Sequence, residues 1–206
     1  MLYMPKDTFF NLSSEKQSRI VKSSISEFGK HSFKEAKLSN IIKASKIPRG
    51  SFYQYFEDKK DLYIFLFEQI KIKKLKYMDD MLPNPENTPF LDLFRDLYIR
   101  GLAFASENVE YVKVMKQLLN SSGELYKELV TDNLKMAADY YRSYIETDKK
   151  LGRIRDDVDT ELLVNLVIDI TTKIAFDELE DKDYIDNDKL LKRIDSLLSI
   201  LKKGIL

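Results

Sequence analysis

The sequence predicts an all-α protein, and three observations carry that reading. Apolar residues recur at spacings of three and four, and no strongly alternating run bounded by turns marks a strand. All five prolines stand at positions 5, 48, 83, 85 and 89, so residues 90–206 run for 117 positions without one. The 206 residues are 44% hydrophobic and 33% charged, a balance that forms a core and argues against disorder.

The helices follow in order. The first starts after Asn11-Leu12-Ser13-Ser14, with Ser13 or Ser14 as its cap. Ile20, Val21, Ile25 and Phe28 form its inner face, and Gly29, His31 and Ser32 suit its end. A short helix over 37–45 turns Leu38, Ile41 and Ile42 inward. Lys46-Ile47-Pro48 makes a corner, and a second short helix over 48–56 begins on Pro48, where a missing N–H costs nothing. Glu57-Asp58 ends it and caps a long helix over 59–81 with Leu62, Phe65, Leu66, Ile70 and Ile72 as core candidates. The segment MLPNPENTPF (81–90) breaks the chain. Further helices are expected over 90–106, 109–119, 122–149, 159–179 and 187–203, with a turn at Leu151-Gly152-Arg153. The acidic link from Asp177 to Asp188 reads as a solvated loop, since it lacks the spacing and glycine of a calcium loop.

Composition excludes several chemistries. With no Cys there is no disulfide framework, thiol catalysis or thiolate metal site, and one His excludes a two-histidine zinc site. No GxGxxG or P-loop occurs, so the expectation is a non-enzyme with no catalytic residues, no cofactor and no metal. No apolar run approaches the roughly 20 residues needed to cross a bilayer, and no signal peptide is legible. A soluble, cytoplasmic protein without a membrane partner is expected.

The formal net charge of zero conceals an asymmetry. Residues 1–78 hold 16 Lys/Arg and 8 Asp/Glu, whereas residues 79–206 hold 18 and 26. A basic module joined to an acidic one suits nucleic-acid binding coupled to self-association or sensing. The basic half contains two short helices joined by a three-residue corner, which is a helix-turn-helix arrangement. Its second helix would enter a major groove. Arg49 and Gln54 suit bidentate bonds to guanine and adenine edges. Gly50 permits close approach of DNA, or equally close packing within the protein. Ser51, Tyr53 and Tyr55 offer hydroxyls to phosphates, and Tyr53 could equally sit at the core edge. Lys59 and Lys60 stand at a helix N-terminus, where a phosphate would account for them. Lys37, Ser39 and Lys46 complete the candidate DNA-contacting set, with Lys43 adding charge. Phe52 and Phe56, four apart, wedge the helix into the core.

The stretch KLSNIIKASKIPRGSFYQYFEDKKDLYIFLF (37–67) resembles the DNA-binding signature of the TetR/AcrR family of bacterial transcriptional regulators. Its most specific part is Gly50-Ser51-Phe52-Tyr53-Gln54-Tyr55-Phe56 followed by Lys59-Lys60-Asp61-Leu62, and residues 9–33 resemble the family's first helix. Residues 151–170 resemble a looser pattern before its penultimate helix. The resemblance implies a nine-helix fold with a three-helix DNA-binding domain at 1–58, its helix-turn-helix at 37–56. It implies a ligand-binding and dimerisation domain at 59–206, linked by the long helix 59–81. It also implies a homodimer on a palindromic double-stranded operator, and a repressor released by a small, largely apolar effector. Tyr53 then matches the family's phosphate-contacting tyrosine, and Lys59 or Lys60 its lysine at the start of the fourth helix. The sequence departs from the family at Ile42, Lys46, Pro48 and Lys37, where Ala, Gly, Ser and Thr/Ser are usual. A helical binding or adaptor protein that has lost DNA is the alternative.

For the second domain, two broad apolar helix faces suggest a dimer interface: Leu162, Leu166 and Ile170 on one, Leu190, Ile194, Leu197 and Leu201 on the other. Aromatic and Met side chains at helical spacings shape a candidate ligand pocket, namely Phe94, Tyr98, Phe104, Tyr111, Met115, Met136, Tyr140 and Tyr144. Arg100 is a candidate for an anionic headgroup. Asn165 and Asp169 are candidates for ligand anchors or an interfacial pair, and Asp169 could instead pair with Lys173.

Overall fold

The computed structural model describes residues 5–78, 83–119, 124–180 and 186–205. Among them every regular element is a helix: α1 (Asp7–Phe10), α2 (Ser14–Lys30), α3 (Leu38–Ser45), α4 (Arg49–Tyr55), α5 (Lys59–Lys76), α6 (Phe90–Glu107), α7 (Val109–Leu119), α8 (Glu124–Lys150), α9 (Thr160–Glu180) and α10 (Asn187–Ile205). Nine of these answer the nine expected helices, and the four-residue α1 is additional. The expected end of the long helix at residue 81, and part of the acidic link, lie outside the described residues. No described helix is long and apolar enough to cross a membrane.

The chain packs as two compact units, Met1–Lys74 with Asn108–Leu129, and Leu75–Glu107 with Val130–Leu206. The first unit has an aromatic core. Phe9, Phe28, Phe52, Phe56 and Tyr63 are all nearly inaccessible, and the Phe9 ring lies 5.1 Å from those of both Phe56 and Phe65. Helix α2 enters on Ser13, whose hydroxyl accepts the Lys16 N–H. It packs against α7, and Gly29 permits that approach, because a Cβ there would meet the Lys113 Cβ at 3.2 Å. Helix α5 is buried over seven consecutive residues, Asp61 to Phe67. Its outer end differs from expectation, since Ile72 is 48% exposed rather than core. Asp61 earns its place at the start of α5. Its N–H donates to the Asp58 carboxylate at 2.8 Å while its own carboxylate accepts the Glu57 N–H at 2.9 Å, a reciprocal cap on the helix start.

Two turns share one backbone solution. After α8, Arg153 N–H donates to Asp148 C=O and Gly152 N–H to Lys149 C=O. After α3, Ile47 N–H donates to Ile42 C=O and Lys46 N–H to Lys43 C=O. Both are the six-to-one, five-to-two closure that places one residue in the left-handed region. Gly152 takes it at φ +68° without penalty, whereas Lys46 takes it at φ +54° with a side chain.

The second unit is built around Phe90, Leu93, Tyr144, Ile145, Val164, Val167, Leu190 and Ile194. At one edge Asp148, 2% exposed, accepts the Phe90 N–H at 2.7 Å and a guanidinium N–H from Arg153 at 3.1 Å. Arg153 also donates to the Pro85 and Glu86 carbonyls. This carboxylate therefore fastens the 85–90 segment, the end of α8 and the turn at 151–154 to one another. Asp148→Ala strands the Phe90 N–H and the Arg153 guanidinium, and urea unfolding is expected to show a loss of about 3 kcal/mol.

Candidate nucleic-acid interface

Helices α3 and α4 have eight and seven residues. Isolated helices shorter than about 12 residues are marginal in water, so both depend on contacts from outside. The outer face of α4 presents Arg49, Gly50, Tyr53 and Gln54, all exposed, with Ser51 half-buried beside them. The i, i+4 pairs 49–53 and 50–54 stack along one side. Nothing lies within 4 Å of a Cβ built on Gly50, so no internal packing requires glycine there. Lys37, Ser39, Lys43 and Lys46 on or beside α3 are also exposed. Lys37, Lys43, Lys46 and Arg49 have no acidic partner within 4 Å among the described residues. The result is an open, cationic face with donors suited to phosphates and base edges.

Three expected contacts resolve differently. Tyr55 is 5% exposed and its hydroxyl accepts from Lys16 Nζ at 3.2 Å, so it is a core residue of α4. Helical periodicity places it with Phe52 and Phe56 rather than with Tyr53. The Lys59 ammonium is turned inward. It donates to the Phe33, Ala36 and Lys34 carbonyls at 2.6, 2.8 and 3.4 Å and lies 4.7 Å from the Phe33 ring centre. Burial pushes Lys59 below the usual lysine range, and the charge of Glu27 pushes back. Lys60 forms an ion pair with Glu128 of α8 at 2.8 Å.

Several residues that hold this face were not singled out from sequence. The buried Glu27 carboxylate of α2 accepts the Lys37 N–H at 2.8 Å and the Asn40 amide at 3.1 and 3.2 Å. It anchors the start of α3 to another helix through the N–H of the flanking residue 37 and the Asn40 side chain, while Lys37 itself offers α3 no side-chain cap. The available signal was an acid at an inward position of α2, beside Phe28. Lys6, Thr8 and Phe9 meet the far end of α4. Lys6 N–H donates to Tyr55 C=O at 2.9 Å, Lys6 Nζ to Tyr53 C=O at 3.1 Å, and the Thr8 hydroxyl to Gln54 C=O. No local pattern betrays contacts between segments more than forty residues apart.

In the second unit the expected ligand and dimer residues scatter. Phe94, Phe104 and Tyr144 are buried, Tyr98 and Tyr140 half-buried, and Met136 is 66% exposed on the surface. Tyr144 bonds Tyr140 at 3.2 Å and the Pro83 carbonyl. Burial pushes the Tyr98 phenol up to about 12. Arg100 donates to the Tyr77 carbonyl at 3.1 Å. Tyr111 and Met115 belong to the first unit, on α7, where Lys73 Nζ lies 5.1 Å from the Tyr111 ring centre. Asn165 and Asp169 are exposed, on the side of α9 opposite Leu163, Val164 and Val167, and Lys173 pairs with Asp177 instead. Leu190, Ile194, Leu197 and Leu201 point into the unit's own core, because α10 turns its broad apolar side to α6 and α9. The outward apolar residues are Leu162 at 64%, Ile170 at 36% and Ile200 at 69% exposure, with Leu166 half-buried. A groove of about 770 Å³ runs beside them, lined by Ile170, Ile174, Leu197 and Ile200 with Lys192 and Arg193.

The left-handed Lys46 generates a two-sided expectation. Lys46→Gly relieves the strain and should raise stability by about 0.5–1 kcal/mol in urea unfolding. It also removes a cation from the face and should weaken duplex DNA binding in the same preparation.

Comparison with known proteins adds to this geometry. Residues 20–64 match the family described as bacterial regulatory proteins, tetR family. The chain is 23% identical over 173 residues to the uncharacterized HTH-type transcriptional regulator YdgC of Bacillus subtilis (strain 168), covering 81% of this chain and 85% of that protein. Among solved structures, a TetR family transcriptional regulator from Chloroflexus aurantiacus J-10-FL superposes with a TM-score of 0.73 at 23% identity, over 98% of both chains. The regulator FadR of Bacillus subtilis, solved in complex with stearoyl-CoA, superposes with a TM-score of 0.73 at 16% identity, over 92% of this chain and 99% of that one. These structural likenesses show the fold, and the match at 20–64 spans α3, α4 and the start of α5, where the cationic face is built. Residues 20–64 thus form a segment of the tetR family of bacterial regulatory proteins, set within a chain that shares the fold of TetR-family regulators.

Proposed function

We propose that this protein is a DNA-binding transcriptional regulator that acts as a homodimeric repressor, released from a palindromic operator by a small, largely apolar effector. The observation that carries the DNA reading is the α4 face, where Arg49, Gly50, Tyr53 and Gln54 stand exposed beside Lys37, Lys43 and Lys46. In this reading Arg49 and Gln54 read base edges, while Tyr53, Ser51, Ser39 and the lysines hold phosphates. Residues 1–58 serve as the DNA-reading part, and the remaining helices sense and dimerise.

The dimer reading rests on Leu162, Leu166, Ile170 and Ile200, which leave apolar surface on α9 and α10. A two-fold dimer presents two α4 helices to two half-sites and doubles the phosphate contacts. The effector reading rests on the half-buried Tyr98 and Tyr140 beside Phe94 and Tyr144, and on the stearoyl-CoA bound by FadR. A long-chain acyl thioester is therefore the first effector class to test. Such a ligand lowers DNA affinity only to the extent that it prefers the arrangement that does not bind DNA.

Selection of binding sites from a randomised duplex library should yield a palindrome. Arg49→Ala and Gln54→Ala should each relax preference at one base pair per half-site, by about 1–3 kcal/mol. Tyr53→Phe and Lys37→Met should weaken binding to all duplexes alike, and Lys37→Met should lower the salt slope by about one. Enrichment of no sequence would favour a helical binding or adaptor protein. Stearoyl-CoA should reduce operator affinity at least about fivefold, the low end of ordinary coupling, and unchanged affinity in gel shift rejects that effector class.

A further inference from the structure

Helix α4 is seven residues long, so its last four carbonyls, Phe52 to Tyr55, make up more than half of it. Each of the four has a donor. Phe56 N–H serves Phe52 C=O at 2.9 Å within the helix. The other three are served by a segment more than forty residues away: Lys6 Nζ at Tyr53 C=O, the Thr8 hydroxyl at Gln54 C=O, and Lys6 N–H at Tyr55 C=O. We propose that Lys6 and Thr8 are positioning residues for DNA recognition, acting as a C-terminal cap supplied from the N-terminal segment that sets where Tyr53 and Gln54 meet the duplex. The inference rests on the DNA reading above and extends it to residues outside the helix-turn-helix.

The segment is built to hold that position. Phe9 is 1% exposed and its ring lies 5.1 Å from Phe56 and Phe65. Gln17 of α2 grips the far side, donating to the Phe10 and Leu12 carbonyls at 3.1 and 2.9 Å. The Lys6 ammonium also pairs with Glu57 at 3.1 Å, which directs it across the helix end. A cation at that end suits the helix dipole as well as the carbonyl it serves.

The inward side of α4 is fixed separately, by Phe52 and Phe56, both fully buried. Those rings set the depth of the helix. They do not supply donors to the last turn, which carries Tyr53 and Gln54 on its outer side. Loss of the cap frays that turn and leaves Arg49, in the first turn, in place. The expected signature is therefore position-dependent. Discrimination falls at the base pair read by Gln54 and persists at the one read by Arg49.

The experiment uses the full chain and the operator that wild-type protein selects from a randomised duplex library. Gln54→Ala and Arg49→Ala assign the two base pairs. Thr8→Val removes the donor at nearly constant shape, and Thr8→Ser restores it. For Thr8→Val the preference at the Gln54 base pair should drop about fivefold, the size of one neutral hydrogen bond. The Arg49 preference and the salt slope should stay unchanged, and Thr8→Ser should recover the wild-type ratio. Hydrogen exchange without DNA gives a second measurement. The amides of residues 53–56 should exchange about fivefold faster in Thr8→Val, with α2 and α5 unaltered. Equal loss on every duplex with preferences retained, or unchanged exchange in the last turn, overturns the inference. A wild-type protein that selects no sequence overturns the DNA reading itself. Selection by wild type with all preferences kept in Thr8→Val overturns this inference alone.

Discussion

Everything in the first unit follows from one constraint: the two helices that face outward are too short to exist alone. Eight and seven residues give each helix about two turns, with most of its peptide groups belonging to an end. Their stability has to come from elsewhere in the chain. Glu27 ties the start of α3 to α2 through the Lys37 N–H and the Asn40 side chain. Lys59 ties down the carbonyls just before it. Residues 6–8 close the end of α4, and Phe52 and Phe56 sink it into an aromatic core. With the inward side of α4 and one end of each helix held from outside, the side chains on the outer face remain available to a partner.

Charge is distributed to the same end. Of the two acids near the start of α3, Glu27 is buried and occupied by N–H donors and the exposed Glu35 accepts the Ser32 hydroxyl, so neither pairs with the cations of the face. Two lysines side by side divide the work. Lys59 folds inward onto three carbonyls and a ring, and Lys60 bridges to Glu128. Desolvation decides which lysine can do which, because an inward ammonium has to find acceptors for all its N–H groups.

The second unit relies on the same kind of device with a different outcome. Asp148 gathers a backbone N–H and a guanidinium into one buried knot and thereby joins the end of α8 and the turn after it to Phe90, 58 residues away in sequence. Around it the helices present their broad apolar sides to each other, which is why Leu190, Ile194, Leu197 and Leu201 are core and the outward apolar residues are Leu162, Ile170 and Ile200. The paired turns after α3 and α8 make a further contrast. The same closure accepts glycine where only connection is needed, and tolerates lysine where the side chain stands on the outward cationic face.

How much was legible from sequence depends on the range of the interaction. Helix positions, the Ser13 cap, the Gly152 turn and the wedge formed by Phe52 and Phe56 are local, set by periodicity and by backbone conformations that few residues adopt, and all could be read along the chain. The charge asymmetry is likewise a property of composition, and it located the cationic module. The four-residue α1 was invisible because it is too short to show a period and owes its existence to Phe9 in a distant core. The fate of Lys59, Tyr55 and Glu27 was also beyond the sequence. Each carries a group whose chemistry suits both solvent and interior, and only the tertiary structure, by placing particular carbonyls, N–H groups and rings around it, decided which side it took.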